Sequence, residues 1–121
     1  MDRTKRVYQT GEAMPRPDSV TKVCGAEKFA ADGYAADMLW AGVKRGGIPH
    51  ARILGISTEK AAESPGVHGI LTAMDITGSN RQGVIRRDQP VLVKDRILHC
   101  GDPVALVIAE NKSALSRAIE L

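Results

Sequence analysis

Three histidines, His50, His68 and His99, and two cysteines, Cys24 and Cys100, are the chain's candidate soft ligands and nucleophiles. Metal binding by such residues needs short, fixed spacings, and no H-E-x-x-H, paired C-x-x-C or C2H2 pattern occurs. The histidines therefore read as surface or core-edge side chains, and no metal ligand is assigned. A reactive thiol needs a setting that lowers its pKa, and no neighbouring pattern argues for one at either cysteine. Cys100 closes an apolar run, where a cysteine ordinarily serves as a small buried hydrophobe.

The stretch Gly78-Ser79-Asn80-Arg81-Gln82-Gly83 spaces two glycines as a phosphate-binding loop does. Val84-Ile85 follow, where that loop needs lysine and a hydroxyl for phosphate and magnesium. It reads instead as a glycine-hinged loop. Arg81, Arg86 and Arg87 share it with Asp88, and Asp75 lies just before it. Three arginines beside two carboxylates read as a solvated face rather than a nucleic-acid patch. No serine stands in a nucleophile elbow. Catalytic residues are accordingly expected to be none, and cofactor-binding residues none.

The elements that must position these residues follow from pattern. Met14-Pro15-Arg16-Pro17-Asp18 holds two prolines that push their predecessors out of helical geometry, so residues 1–22 read as an extended arm and 23–121 as the folded domain. Strands are expected over Met38–Val43, Ala51–Ile56, Val67–Leu71, Val91–Val93 and Arg96–Cys100. Val104–Ile108 is apolar throughout and predicts a strand buried on both faces. A short helix starts at Ser57 or Thr58 and stops at Pro65-Gly66. Thr72-Ala73-Met74-Asp75 has the form of a capping box, with Asp in the last place. A final helix begins near Asn111, with Ala114, Leu115, Ala118 and Ile119 on one stripe. Between them, residues 77–90 form a polar loop of a length that is usually functional or disordered.

Composition bounds the class. The 121 residues suffice for one domain, with 43% hydrophobic and 26% charged residues, as in soluble globular proteins. The net charge of +3 is too small to imply nucleic acid or an anionic membrane, and the 3% of aromatic residues leaves little for base stacking. The early charges and missing apolar h-region argue against a signal peptide, no run approaches a membrane span, and two cysteines do not make a disulfide scaffold. The expected compartment is the cytoplasm, with no nucleic-acid and no membrane partner.

The ordered strings go further. Pro15-Arg16-Pro17-Asp18 and Lys22-Val23-Cys24-Gly25-Ala26-Glu27-Lys28-Phe29-Ala30-Ala31-Asp32 resemble the R-P-D, K-V-T-G-x-A-x-Y-x-x-D opening of the molybdopterin-binding large subunit of the xanthine dehydrogenase and aldehyde oxidase family. Pro49-His50-Ala51-Arg52-Ile53 is similar to its P-H-A-R-I segment. Pro65-Gly66-Val67, Leu71-Thr72-Ala73-Met74-Asp75-Ile76 and Gly78-Ser79-Asn80 resemble P-G-V and L-T-A-x-D-I-P-G-x-N. Gln89-Pro90-Val91-Leu92, Asp95 and Gly101-Asp102-Pro103-Val104-Ala105-Leu106-Val107-Ile108-Ala109-Glu110 resemble Q-P-V-L, D and V-G-E-P-V-A-L-V-V-A-E. Cys24 replaces a threonine, Phe29 a tyrosine, Thr77 a proline and His99-Cys100 an aromatic-valine pair. Gly33-Tyr34-Ala35-Ala36-Asp37 departs from a shorter, more apolar approach to the strand.

This resemblance implies an α+β fold, the N-terminal α/β-hammerhead: a mixed sheet with helices on one side. It implies a piece of a longer molybdenum hydroxylase that inserts water-derived oxygen into substrate. The molybdopterin cofactor would be held downstream in the same chain, and 2Fe-2S and FAD would lie on partner domains or subunits. The chain would then be a non-catalytic scaffold whose loop borders the substrate funnel through Val84 and Ile85. A free-standing interaction module of the same fold is the alternative. If the chain stops at Leu121, the apolar strand 104–108 is expected to present an open edge and the last helical carbonyls to lack partners, both favouring self-association.

Overall fold

A computed structural model describes residues 9–121. The part of the expected arm before residue 9 lies outside the described residues. Contacts divide the chain into two units, one ending at Ala36 and the other beginning at Asp37.

In the first unit, helix α1 (Ser19–Val23) starts two residues after Pro17. The expectation of extended chain up to residue 22 is thus corrected at its end. A proline restricts itself and its predecessor only, which leaves Ser19 onward free to coil. The Asp18 carboxylate favours that turn: Lys22 Nζ lies 2.6 Å from it, one turn on, and Arg16 Nη2 donates to it at 3.0 Å. Those two cations, Lys22 foremost, hold the Asp18 carboxyl below its ordinary pKa. The Lys22 ammonium also stands 5.8 Å from the centre of the Phe29 ring.

The second unit is built on a three-stranded sheet of β1 (Trp40–Arg45), β3 (Val67–Leu71) and β5 (Pro103–Ala109), in the order β1-β5-β3. The registers Gly42↔Val107 and Ile70↔Val107 put one β5 residue between both neighbours. The expected burial on both faces is corrected: Ala105, Val107 and Ala109 are buried on one face, while Val104, Leu106 and Ile108 on the other are half-exposed, because helices cover one side of the sheet only. A two-stranded sheet pairs β2 (Ala51–Arg52) with β4 (Arg96–Ile97). The α+β class is as expected, with one correction: every ladder among the described residues is antiparallel. The strands β1 and β3 do run the same way, but β5 lies between them and opposes both, so no parallel pair forms.

Helices α2 (Glu59–Ala62) and α3 (Lys112–Glu120) cover one face, where Ala61 and Ala118 meet Val107 in the core and Ile70, Leu115 and Ile119 pack around it. The expected stripe of α3 is the buried one. Asn111 caps the helix, its side chain accepting from Ala114 N at 2.9 Å. Gly42 lets the helix approach the sheet, since a Cβ there would stand 2.8 Å from Ile119 Cδ1 and 3.0 Å from Leu115 Cδ2. The Lys112 ammonium sits 4.5 Å from the centre of the Trp40 ring. At the other end, Lys44 Nζ donates to the carbonyl of Ile119 at 2.5 Å. That bond gives one of the last helical carbonyls, expected to be unpartnered, a partner.

Several strand limits differ from expectation for traceable reasons. The first strand begins at Trp40 and runs on to Arg45, because Lys44 and Arg45 continue the ladder with β5 across an irregularity. Only 51–52 of the expected strand 51–56 pair, since their partner β4 is itself two residues long. That partner ends early because the Asp102 carboxylate accepts from Leu98 N at 2.7 Å and His99 N at 3.0 Å, turning the chain. Cys100 falls in this turn and is exposed, which corrects its reading as a buried hydrophobe. Residues 91–93 form no strand, yet Leu92 and Val93 are buried, and Val93 N donates to Pro103 O at 2.7 Å.

Candidate functional site

The loop expected over 77–90 is entered through a 3-10 turn, Ala73–Asp75. The capping box read from the sequence is present. Asp75 Oδ2 accepts from Thr72 N at 2.7 Å and from Thr72 Oγ1 at 2.9 Å, and Thr72 Oγ1 accepts from Met74 N at 3.3 Å. The backbone N–H of Thr72, with its hydroxyl second, holds the Asp75 carboxyl below its ordinary pKa.

Asn80 then ties the start of the loop to its end. Its Oδ1 accepts from Val91 N at 3.0 Å and from Leu92 N at 2.9 Å, while its Nδ2 donates to Leu92 O at 2.7 Å. One amide side chain thereby does what a neighbouring strand would do for two residues. Further out, Gln82 and Gln89 exchange backbone bonds of 2.7 and 3.2 Å in an isolated antiparallel bridge. Gly83 turns the chain beyond it with φ +149°, and a Cβ there would fall 1.7 Å from Arg86 O. No side chain fits that place while the loop keeps this shape.

Val84 and Ile85 stand at the tip, 105% and 96% exposed. Two adjacent apolar side chains with no cover inside their own domain form a surface that burial elsewhere would stabilise. Arg86, Arg87 and Asp88 follow, also exposed, and Arg81 and Asp88 line one shallow groove. Asp75 is engaged by Thr72 and lines a different groove with Val43, Leu71 and Leu106.

The remaining candidates are dispersed. His68 Nε2 lies 3.5 Å from Glu110 Oε1 on the solvent side, His99 Nδ1 accepts from Gly101 N at 2.9 Å, and His50 is exposed. Both cysteines are free and exposed. Among the described residues, no three His, Cys, Asp or Glu side chains converge as metal ligands would, and no helix is long and apolar enough to cross a membrane. The loop-tying residue that motif reading missed is Asn80. Its signal was present as an asparagine opening the loop, a residue type that readily bonds nearby backbone, but which backbone it reached depended on the fold.

An aldehyde oxidase and xanthine dehydrogenase a/b hammerhead domain model matches residues 24–121. The nicotinate dehydrogenase large molybdopterin subunit of Eubacterium barkeri is 41% identical over 114 residues, covering 93% of this chain and 27% of that protein. A probable xanthine dehydrogenase subunit of Bacillus subtilis is 41% identical over 106 residues, 88% of this chain and 14% of its own length. Among solved structures, aldehyde oxidoreductase from Desulfovibrio desulfuricans superposes with a TM-score of 0.85 at 31% identity, over 91% of this chain and 14% of that one. The chain thus spans between about a seventh and a quarter of the length of these three relatives. With the family model matched over most of its length and the sheet and helices superposed on a solved member, the chain belongs to the aldehyde oxidase and xanthine dehydrogenase family, of which residues 24–121 are the a/b hammerhead domain.

Proposed function

We propose that this chain is the non-catalytic hammerhead domain of a cytoplasmic molybdenum hydroxylase. It scaffolds the cofactor-binding domains and borders the path of substrate with Val84 and Ile85. The observation that carries the reading is the closed loop of the hammerhead domain, which displays two fully exposed apolar side chains at its tip. Among the described residues the histidines, thiols and carboxylates are scattered over the surface and do not gather as a ligand set. The reading therefore gives these residues no ligand role and leaves molybdopterin to other parts of the protein, with 2Fe-2S and FAD on partner domains or subunits. What these residues contribute is shape and an apolar wall.

Two experiments test it. Reading the gene past Leu121 is expected to show several hundred further codons, whereas a stop codon there would favour the interaction module. In the intact enzyme, Ile85→Ala is expected to change KM or substrate preference severalfold. Stability should hardly move, since exposed substitutions usually shift it by about 0.5 kcal/mol or less. Unchanged kinetics across several substrates would remove the channel role.

A further inference from the structure

We infer that Asn80 is a positioning residue: by clasping residues 91–92 it sets the loop that carries Val84 and Ile85, and through that loop it tunes substrate access. The inference rests on the funnel reading for its kinetic consequence, but the clasp itself stands on geometry.

The loop has little else to hold it. Between Asn80 and Val91 the only backbone pairing is the Gln82–Gln89 bridge, and a single bridge of two bonds is weak in water. The tip side chains pack on nothing in their own domain. Asn80 supplies three bonds at 2.7, 2.9 and 3.0 Å, all to backbone groups at the opposite end of the loop. That end is anchored: Leu92 and Val93 are 7% and 2% exposed, and Val93 N reaches Pro103 O at the start of β5. The clasp thus ties a loop without a core of its own to the central strand of the sheet. Asparagine suits the place because one side chain must both accept and donate here. Aspartate keeps the two acceptor bonds but sets a charge against Leu92 O, and alanine keeps none. A loop fixed at its base presents its tip in one arrangement, so the substrate path does not have to be ordered at each binding event.

The test uses the full-length protein, reading amide hydrogen exchange of peptides spanning 81–92 beside KM, kcat and the melting temperature. Asn80→Ala is expected to speed exchange in 81–92 about tenfold or more, as three bonds that close the loop are lost. Asn80→Asp should fall between Asn80→Ala and the parent, a graded rescue that a mere packing role would not give. KM should rise in the same order while kcat holds, because the residue touches no reacting group. If Asn80→Ala does not fold, the aspartate variant, which keeps both acceptor bonds, carries the comparison against the parent. Faster exchange with unchanged KM would uphold the clasp and overturn the funnel reading of Val84 and Ile85. Unchanged exchange in a folded variant would overturn the clasp, whatever the kinetics do.

Discussion

Two carboxylates that look interchangeable in the sequence do different work because of what lies within 3 Å of each. Asp75 closes the capping box with Thr72 and is held below its ordinary pKa of 3.8 by that residue's backbone N–H and hydroxyl, whereas Asp88 sits on the exposed loop. The Asp75 shift has a definite sign. A carboxyl whose folded pKa lies below its unfolded value adds stability above the unfolded value and loses it as pH falls through the folded one. Asp75→Ala is therefore expected to melt at a lower temperature than the parent at pH 7. The gap between the two should close as pH drops below 3.8. Because the group is exposed, the effect is small, and parallel thermal melts from pH 7 to pH 2 will read it. A gap that stays constant over that range would show that the carboxylate charge is not what matters.

At the scale of elements, the contact between α3 and the sheet decides how the domain closes. Gly42 on β1 lies under Ile119 and Leu115, and its missing side chain is what lets the helix seat. Gly42→Ala is expected to cost about 1 kcal/mol, at the low end for overpacking, because the atoms it meets are terminal methyls that can turn aside. Urea unfolding will measure it, and a stabilised variant would mean that the helix is less closely seated than the distances imply. The same sheet corrects an expectation about self-association. The apolar strand 104–108 offers no open edge, since β5 is flanked by β1 and β3 and hydrogen-bonded on both sides. The outer strands β1 and β3 carry the edges instead.

At the scale of the molecule, the described core is small and the apolar surface large. Leu54 and Met74 are 91% and 75% exposed and line one groove with Ile53 and Val93. Ile48, Ile56 and Leu121 stand along another, between α3 and the segment after β2. Surfaces of this kind ordinarily mark contact with another body. The 121-residue chain by itself is therefore expected to associate, through these faces rather than a strand edge. Sedimentation equilibrium should give a mass above 13.0 kDa that grows with concentration, and Leu54→Lys with Met74→Lys should reduce it. A mass of 13.0 kDa at every concentration would rule the association out.

Local and periodic signals were legible in the sequence for a physical reason: each is fixed by residues a few positions apart. The strand at Val67–Leu71, the capping box at Thr72–Asp75, the Asn111 cap and the stripe of α3 all follow from such spacing, whereas β5 is buried on one face and half-exposed on the other. The ordered motifs likewise carried the family, which the match over residues 24–121 shows. What tertiary structure decided depends on partners distant in the chain. The strands around 51–56 and 96–100 shorten because each has only two residues of the other to pair with, and Cys100 is exposed because Asp102 turns the chain beneath it. Most of all, the polar loop gains its shape from Asn80 reaching residues 91–92. Composition shows a polar loop there, but only the fold brings Val91 and Leu92 within bonding distance of that amide, and with it sets where Val84 and Ile85 stand.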